Sequence, residues 1–215
     1  MKKTNQLEKK LKKLNMSGDR SGAILLIRKY LEKNPPADTL MLQLAFFLYH
    51  DATQRLYQNK KSKKETGNIK DYFNESIKIL EKIIKKDPQI KNSITFNSRI
   101  YLAQIYAILN NSKKAIKLGK ENYKIKKNPV TSNRLADIYD RLNQNNKALW
   151  WYKNTEKISD KKNKDELILA KQGLSNFYKK IGENGKAEVY KNQTLKLILG
   201  DSLESKSMRK ILKNK

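Results

Sequence analysis

One stretch of the chain repeats itself, and a fixed period of this size decides what the rest can fold into. The segment YLAQIYAILNNSKKAIKL, starting at Tyr101, superposes on RLADIYDRLNQNNKALWW, starting at Arg134, with a shift of 33 residues. Leu102, Ala103, Tyr106, Leu109 and Ala115 fall on Leu135, Ala136, Tyr139, Leu142 and Ala148. A third copy, GLSNFYKKIGENGKAEVY from Gly173, puts Leu174, Ser175, Tyr178, Ile181 and Ala187 in the same slots at a spacing of 39. The extra residues fall in the polar run SDKKNKD, which reads as a longer loop. Each slot has a mechanical reason. A small side chain at Ala103, Ala136 and Ser175 lets one helix of a hairpin approach the small residue on the other, and the larger leucines and tyrosines fill the space to the next hairpin.

Two weaker copies precede these. In the first, Leu14, Gly18, Ala23, Tyr30 and Pro35 repeat the turn, the small residue, the aromatic and the closing proline. In the second, Leu44, Ala45 and Leu48 supply the first helix, and Ser76, Leu80, Ile83 and Pro88 the second. About 19 residues are inserted between those two helices; the first helix is expected to run to Tyr57, with a lysine-rich loop near residues 58–70. The opening residues read as an amphipathic helix capped by Thr4, with Leu7, Leu11 and Leu14 along one face.

This pattern resembles the tetratricopeptide repeat, a helix-turn-helix unit of about 34 residues. The resemblance implies an all-α, right-handed solenoid of about five hairpins in a single domain, residues 1–215. Its expected units are 4–37, 38–90, 96–128, 129–167 and 168–201, followed by a capping helix over 202–213. Gly119 and Lys191 depart from the pattern, standing where a bulky second-helix residue is usual. The resemblance also implies a concave groove lined by the first helix of each unit. It places Phe46, Tyr49, His50, Gln104, Ile108, Asn133, Asp137, Arg141, Gln172, Asn176, Lys179 and Lys180 there. Asparagine, arginine and lysine at such places are similar to the carboxylate clamp of chaperone-binding tetratricopeptide domains, yet Asp137 and Asp140 would repel a carboxylate. A groove for an extended or helical peptide segment fits the residues better.

Composition narrows the function. The chain has 215 residues, no cysteine and a single histidine, so disulfide or thiolate chemistry and a zinc site of nitrogen and sulfur ligands are excluded. No phosphate-binding glycine pattern occurs, and the carboxylates lack a tuning partner, so the chain reads as non-enzymatic with no cofactor. His50 reads as a hydrogen-bonded helix-end or groove residue. Of adjacent Trp150 and Trp151, one is expected to pack between units and the other to be partly exposed. The formal charge of +27 points to an acidic partner, although lysines outnumber the seven arginines heavily and suit diffuse attraction more than bidentate recognition. An A+T-rich genome would raise lysine in the same way. Lys60, Lys61, Lys63 and Lys64 form the densest basic surface. The expected function is therefore a protein-binding adaptor, cytoplasmic, with an acidic protein or peptide in its groove; the alternative is an RNA- or DNA-associated repeat protein that grips phosphates. Peripheral contact with anionic membrane through the first helix is the weakest of the three readings, and no apolar run is long enough to span a bilayer.

Overall fold

The computed structural model describes residues 2–59 and 67–199, and among them every regular element is a helix. Ten helices follow one another: α1 (Lys2–Met16), α2 (Arg20–Leu31), α3 (Asp38–Asn59), α4 (Gly67–Lys86), α5 (Ser93–Ile108), α6 (Ser112–Ile125), α7 (Pro129–Arg141), α8 (Asn145–Ile158), α9 (Lys164–Lys180) and α10 (Asn184–Leu199). Backbone contacts divide the chain into two compact units, Met1–Ile105 and Tyr106–Lys215, so the division falls within α5. None of the described helices is long and apolar enough to cross a membrane. The cap expected over 202–213 and the basic residues Lys60, Lys61, Lys63 and Lys64 lie outside the described residues.

The hairpins are set by their turns. Gly18, Asn110, Asn143 and Gly182 all have positive φ, between 55° and 83°, which only glycine and, at small cost, asparagine adopt readily. This left-handed residue bends the chain back so that the next N–H reaches the carbonyl five residues earlier. Asp19 N donates to Leu14 O at 2.9 Å, Asn111 N to Tyr106 O at 2.8 Å, Gln144 N to Tyr139 O at 2.9 Å and Glu183 N to Tyr178 O at 2.9 Å. These bonds satisfy helix-end carbonyls that would otherwise be orphaned. Four residues further on stands a buried alanine each time, Ala23, Ala115, Ala148 or Ala187.

In the N-terminal unit, α1 packs on α2, α2 on α3 and α3 on α4. The small-residue contact is visible in α3 and α4, where the Ser76 hydroxyl donates to the Ala45 carbonyl at 2.9 Å. In the C-terminal unit, α7 pairs with α8 and α9 with α10, and α7 also touches α9. Here Ser132 Oγ donates to Trp151 O at 3.2 Å and Ser175 Oγ to Ala187 O at 2.9 Å. Gly119, the departure in α6, is explained by its neighbours: an added Cβ would lie 2.7 Å from Ile138 Cδ1 and 3.0 Å from Leu135 Cδ1. The bulk usually supplied by the second helix comes from α7 instead. Lys191 is exposed on α10 and pairs with Glu188 at 3.4 Å.

Three expectations need correction. Helix α1 begins at Lys2, so Thr4 lies inside it and is not its cap; Lys2 and Lys3 are good enough helix formers to extend the helix upstream. Helix α3 continues to Asn59, and α4 starts at Gly67, so part of the stretch 58–70 expected as a loop is helical. His50 therefore sits in mid-helix, because the apolar periodicity continues through Ala52 and Leu56.

Two glycines three residues apart test the turn chemistry with opposite signs. Gly182→Ala, forced into a left-handed backbone, should lose about 1 kcal/mol. Gly185→Ala, helical and with nothing within 4 Å of the new methyl, should gain several tenths of a kcal/mol to about 1 kcal/mol. Urea unfolding of the two variants measures both.

Candidate functional site

The expected groove residues fall on two separate faces, one in each unit. In the N-terminal unit an aromatic group forms on α3 and α5. Phe46 and His50 are one helical turn apart and their ring centroids are 4.2 Å apart, Tyr49 to His50 is 4.5 Å, and Phe46 to Tyr101 is 5.5 Å. Tyr101 was not singled out by the repeat, although its place one residue before Leu102 could have suggested it. Tyr49 and Gln104 are buried, so they form the wall of this face more than its surface, while Phe46, His50 and Tyr101 are half-buried. A second cluster faces α4: the guanidinium groups of Arg28 and Arg55 lie 5.9 Å and 5.6 Å from the Tyr72 ring, and Arg28 pairs with Glu75 at 2.5 Å.

In the C-terminal unit Asn133, Asp137 and Lys180 lie on α7 and α9 but engage different partners, and Ile108 on α5 is half-buried. Asn133 is buried against Gly173, where a Cβ would stand 2.7 Å from the Asn133 Oδ1. That oxygen has no hydrogen-bond partner. Asp137 accepts from Tyr152 Oη at 2.8 Å and pairs with Arg134 at 3.3 Å. Burial pushes its carboxyl above the usual carboxylate range, against the opposing pull of Arg134 and the tyrosine hydroxyl, even though 24% of the side chain stays exposed. Burial and the carboxylates of Asp137 and Asp140 push the Tyr152 hydroxyl up as well. Lys180 reaches back to α7, donating to Asp140 Oδ1 at 2.8 Å, the Asp140 carbonyl at 2.6 Å and Asn143 Oδ1 at 3.2 Å. Its ammonium thus sits on the C-terminal end of α7, where the helix dipole favours a cation.

Arg134, Lys180 and Lys171 each already hold a carboxylate, Lys171 that of Glu156 at 2.9 Å. Gln172, Asn176 and Lys179 are exposed along α9. This face is internally neutralised and offers a free carboxylate little excess positive charge. On α8 the two tryptophans divide as expected: Trp151 is half-buried with its ring 4.7 Å from Tyr123, and Trp150 is 59% exposed.

Lysine is distributed unevenly between the helices. α3, α5 and α7 contain none. α4 carries Lys70, Lys78, Lys82, Lys85 and Lys86, and α6 carries Lys113, Lys114, Lys117, Lys120 and Lys124. α8 and α10 continue the series with Lys147, Lys153 and Lys157, then Lys186, Lys191 and Lys196. Only at the two ends, in α1 and α9, do first helices hold lysine.

The fold these units define is the tetratricopeptide-like helical repeat. A putative kinesin light chain with nearly identical TPR-like repeats, from Podosopora anserina, is similar over 96% of this chain and 97% of its own, at 13% identity and a TM-score of 0.60. BtubC (BKLC) from P. vanneervenii matches 90% of this chain and 79% of its own, at 15% identity and a TM-score of 0.55. MamA from Desulfovibrio magneticus RS-1, residues 41 to the end, matches 94% and 99% at 13% identity and a TM-score of 0.53. No family model and no curated protein matches the sequence.

The carboxyl of Asp137 has a raised value in the folded chain, so its contribution to stability is full below the ordinary carboxylate range and is lost as pH rises through the folded value. Asp137→Asn keeps an acceptor for Tyr152 and removes the desolvated charge. It should raise the Tm at pH 7, with the advantage shrinking below pH 4; thermal melts across pH read this directly.

Proposed function

We propose that the chain is a non-enzymatic protein-interaction scaffold that holds segments of an acidic partner on its first-helix faces. The observation that carries this reading is the absence of lysine from α3, α5 and α7 in a chain with a formal charge of +27. Protein interfaces are depleted of lysine and enriched in aromatics and arginine, because pinning a long ammonium side chain and stripping its water is costly. The lysine-free helices carry instead Phe46, Tyr49, His50, Tyr101, Arg134 and Arg141, together with the amides of Gln104 and Asn133. Codon usage would load the exposed positions of every helix, yet Thr39, Gln43, Asn97 and Arg134, exposed on α3, α5 and α7, are not lysine. The lysines of α4, α6 and α8 then act at a distance, raising the rate at which an acidic protein arrives, while the first helices set how long it stays. The tetratricopeptide-like fold supports the same reading, since its known uses are commonly peptide recognition.

The test is affinity purification of the tagged chain, with and without nuclease, beside the variant Phe46→Ala with Tyr101→Ala. A partner protein is expected to survive nuclease and to fall at least five-fold in the double variant, with far-UV circular dichroism confirming that the variant is folded. Release of every bound protein by nuclease, or undiminished capture by the folded variant, overturns the reading. Once a partner is in hand, neutralising Lys117, Lys120 and Lys124 to glutamine should slow association at low salt by several-fold and leave dissociation nearly unchanged.

A further inference from the structure

The extra length of α3 borders a pocket at the start of α2. Beyond Ala52 this helix runs alongside the start of α2, and the two border an open surface pocket of about 500 Å³ lined by Arg20, His50, Thr53, Gln54, Tyr57 and Gln58. Among the described residues that line it, Arg20 carries the one permanent charge and none is acidic. The contrast with other arginines of the chain is the main point: Arg28 pairs with Glu75, Arg55 with Asp51 and Arg134 with Asp137. The Arg20 guanidinium is held instead by a neutral group, the side-chain oxygen of Gln54.

Neighbouring carboxylates are engaged elsewhere. Asp19 accepts from the Gly22 N–H at 2.8 Å, capping α2. Asp51 lies 2.6 Å from Arg55 Nε and accepts from Ser21 Oγ at 3.3 Å. Arg20 is thus oriented by a hydrogen bond, half-buried and without a counter-charge among the described residues. A guanidinium in that condition matches a carboxylate, which it can grip through two parallel N–H donors. Gln54 and Gln58, one turn apart, offer amides suited to a peptide backbone, and Tyr57, 52% exposed, offers an aromatic face to an apolar neighbour.

We infer that this pocket binds an acidic side chain of a peptide segment that carries an apolar or aromatic residue beside it. A nucleic acid fits the lining less well, because a phosphate backbone is held by repeated cations and the described lining supplies one. The inference rests on the scaffold reading only in taking the ligand to be a peptide. Its test needs no natural partner.

The probe is a blocked hexapeptide of alternating phenylalanine and glutamate, beside its glutamine counterpart, titrated into the uniformly ¹⁵N-labelled full chain. Saturable amide shifts are expected at Arg20 and across residues 50–58 with the glutamate peptide and not with the glutamine one. Arg20→Gln should weaken binding at least five-fold, and Arg20→Lys, which keeps the charge but loses the fork, should fall between; either variant suffices should the other misfold. Equal affinity of a folded Arg20 variant overturns the site, as do shifts spread evenly over lysine-bearing helices. A stronger response of the same amides to oligouridylate or to phosphatidylserine vesicles also overturns it. Failure here is distinguishable from failure of the scaffold reading, which is tested at Phe46 and Tyr101; the two sites share His50, but neither of those residues lines this pocket.

Discussion

The closing bond of the hairpin turn, from the residue after a left-handed Gly18, Asn110, Asn143 or Gly182 to the carbonyl five residues back, fixes where the second helix starts. Everything downstream inherits that register. With the start fixed, Ala23, Ala115 and Ala148 arrive fully buried at the point of closest helix approach, and no larger side chain could occupy those places without forcing the hairpin open. Because the backbones come this near, serine hydroxyls can bridge them, as Ser175 does to Ala187 and Ser132 to Trp151. The larger residues, Leu135, Ile138, Leu174 and Phe177, are driven outward to the next hairpin and vanish from solvent there.

Such local packing leaves a chain free to carry a large net charge. Each helix needs only its apolar stripe, and the remaining positions tolerate lysine at little cost because exposed like charges are screened within about 8–10 Å at ordinary salt. What that freedom does not explain is its uneven use. Five lysines on each of α4 and α6, against none on α3, α5 and α7, separate a solvated cationic side of the middle hairpins from a side built of aromatics, amides and short ion pairs. On the latter side the charges that do occur are tied down within the unit, as in Asp137 with Arg134 and Asp140 with Lys180.

The repeat was legible because its slots are dictated by backbone geometry. Asn110, Asn143, Gly18 and Gly182 announce a left-handed turn in the letters themselves, and an alanine five residues later announces close packing. What a repeat cannot announce is where a long or polar side chain goes. Tyr49, Gln104 and Asn133 occupy groove positions in the pattern yet are buried, because neighbouring side chains close over them; Asn133 is covered by the approach of Gly173, forty residues on. Lys180 was expected to face a ligand and instead reaches Asp140, also forty residues away. Neither partner is encoded by local spacing. Similarly, Gly119 looks like a defect in α6 until the Ile138 side chain from α7 is seen to fill its place.

The second hairpin breaks the rule, and the consequence is physical. Where the others turn within three residues, α3 runs for 22 residues, to Asn59. Its last turns face α4 on one side, where Arg55 meets Tyr72, and the start of α2 on the other. Asp51 and Gln54 meet Ser21 and Arg20 there. The continued α3 stands opposite the start of α2, and the pocket opens between the two. The residues that then line it, an arginine, a histidine, a tyrosine and two glutamines, serve no hairpin packing slot, and so this is the part of the fold where side-chain identity was least constrained by the repeat.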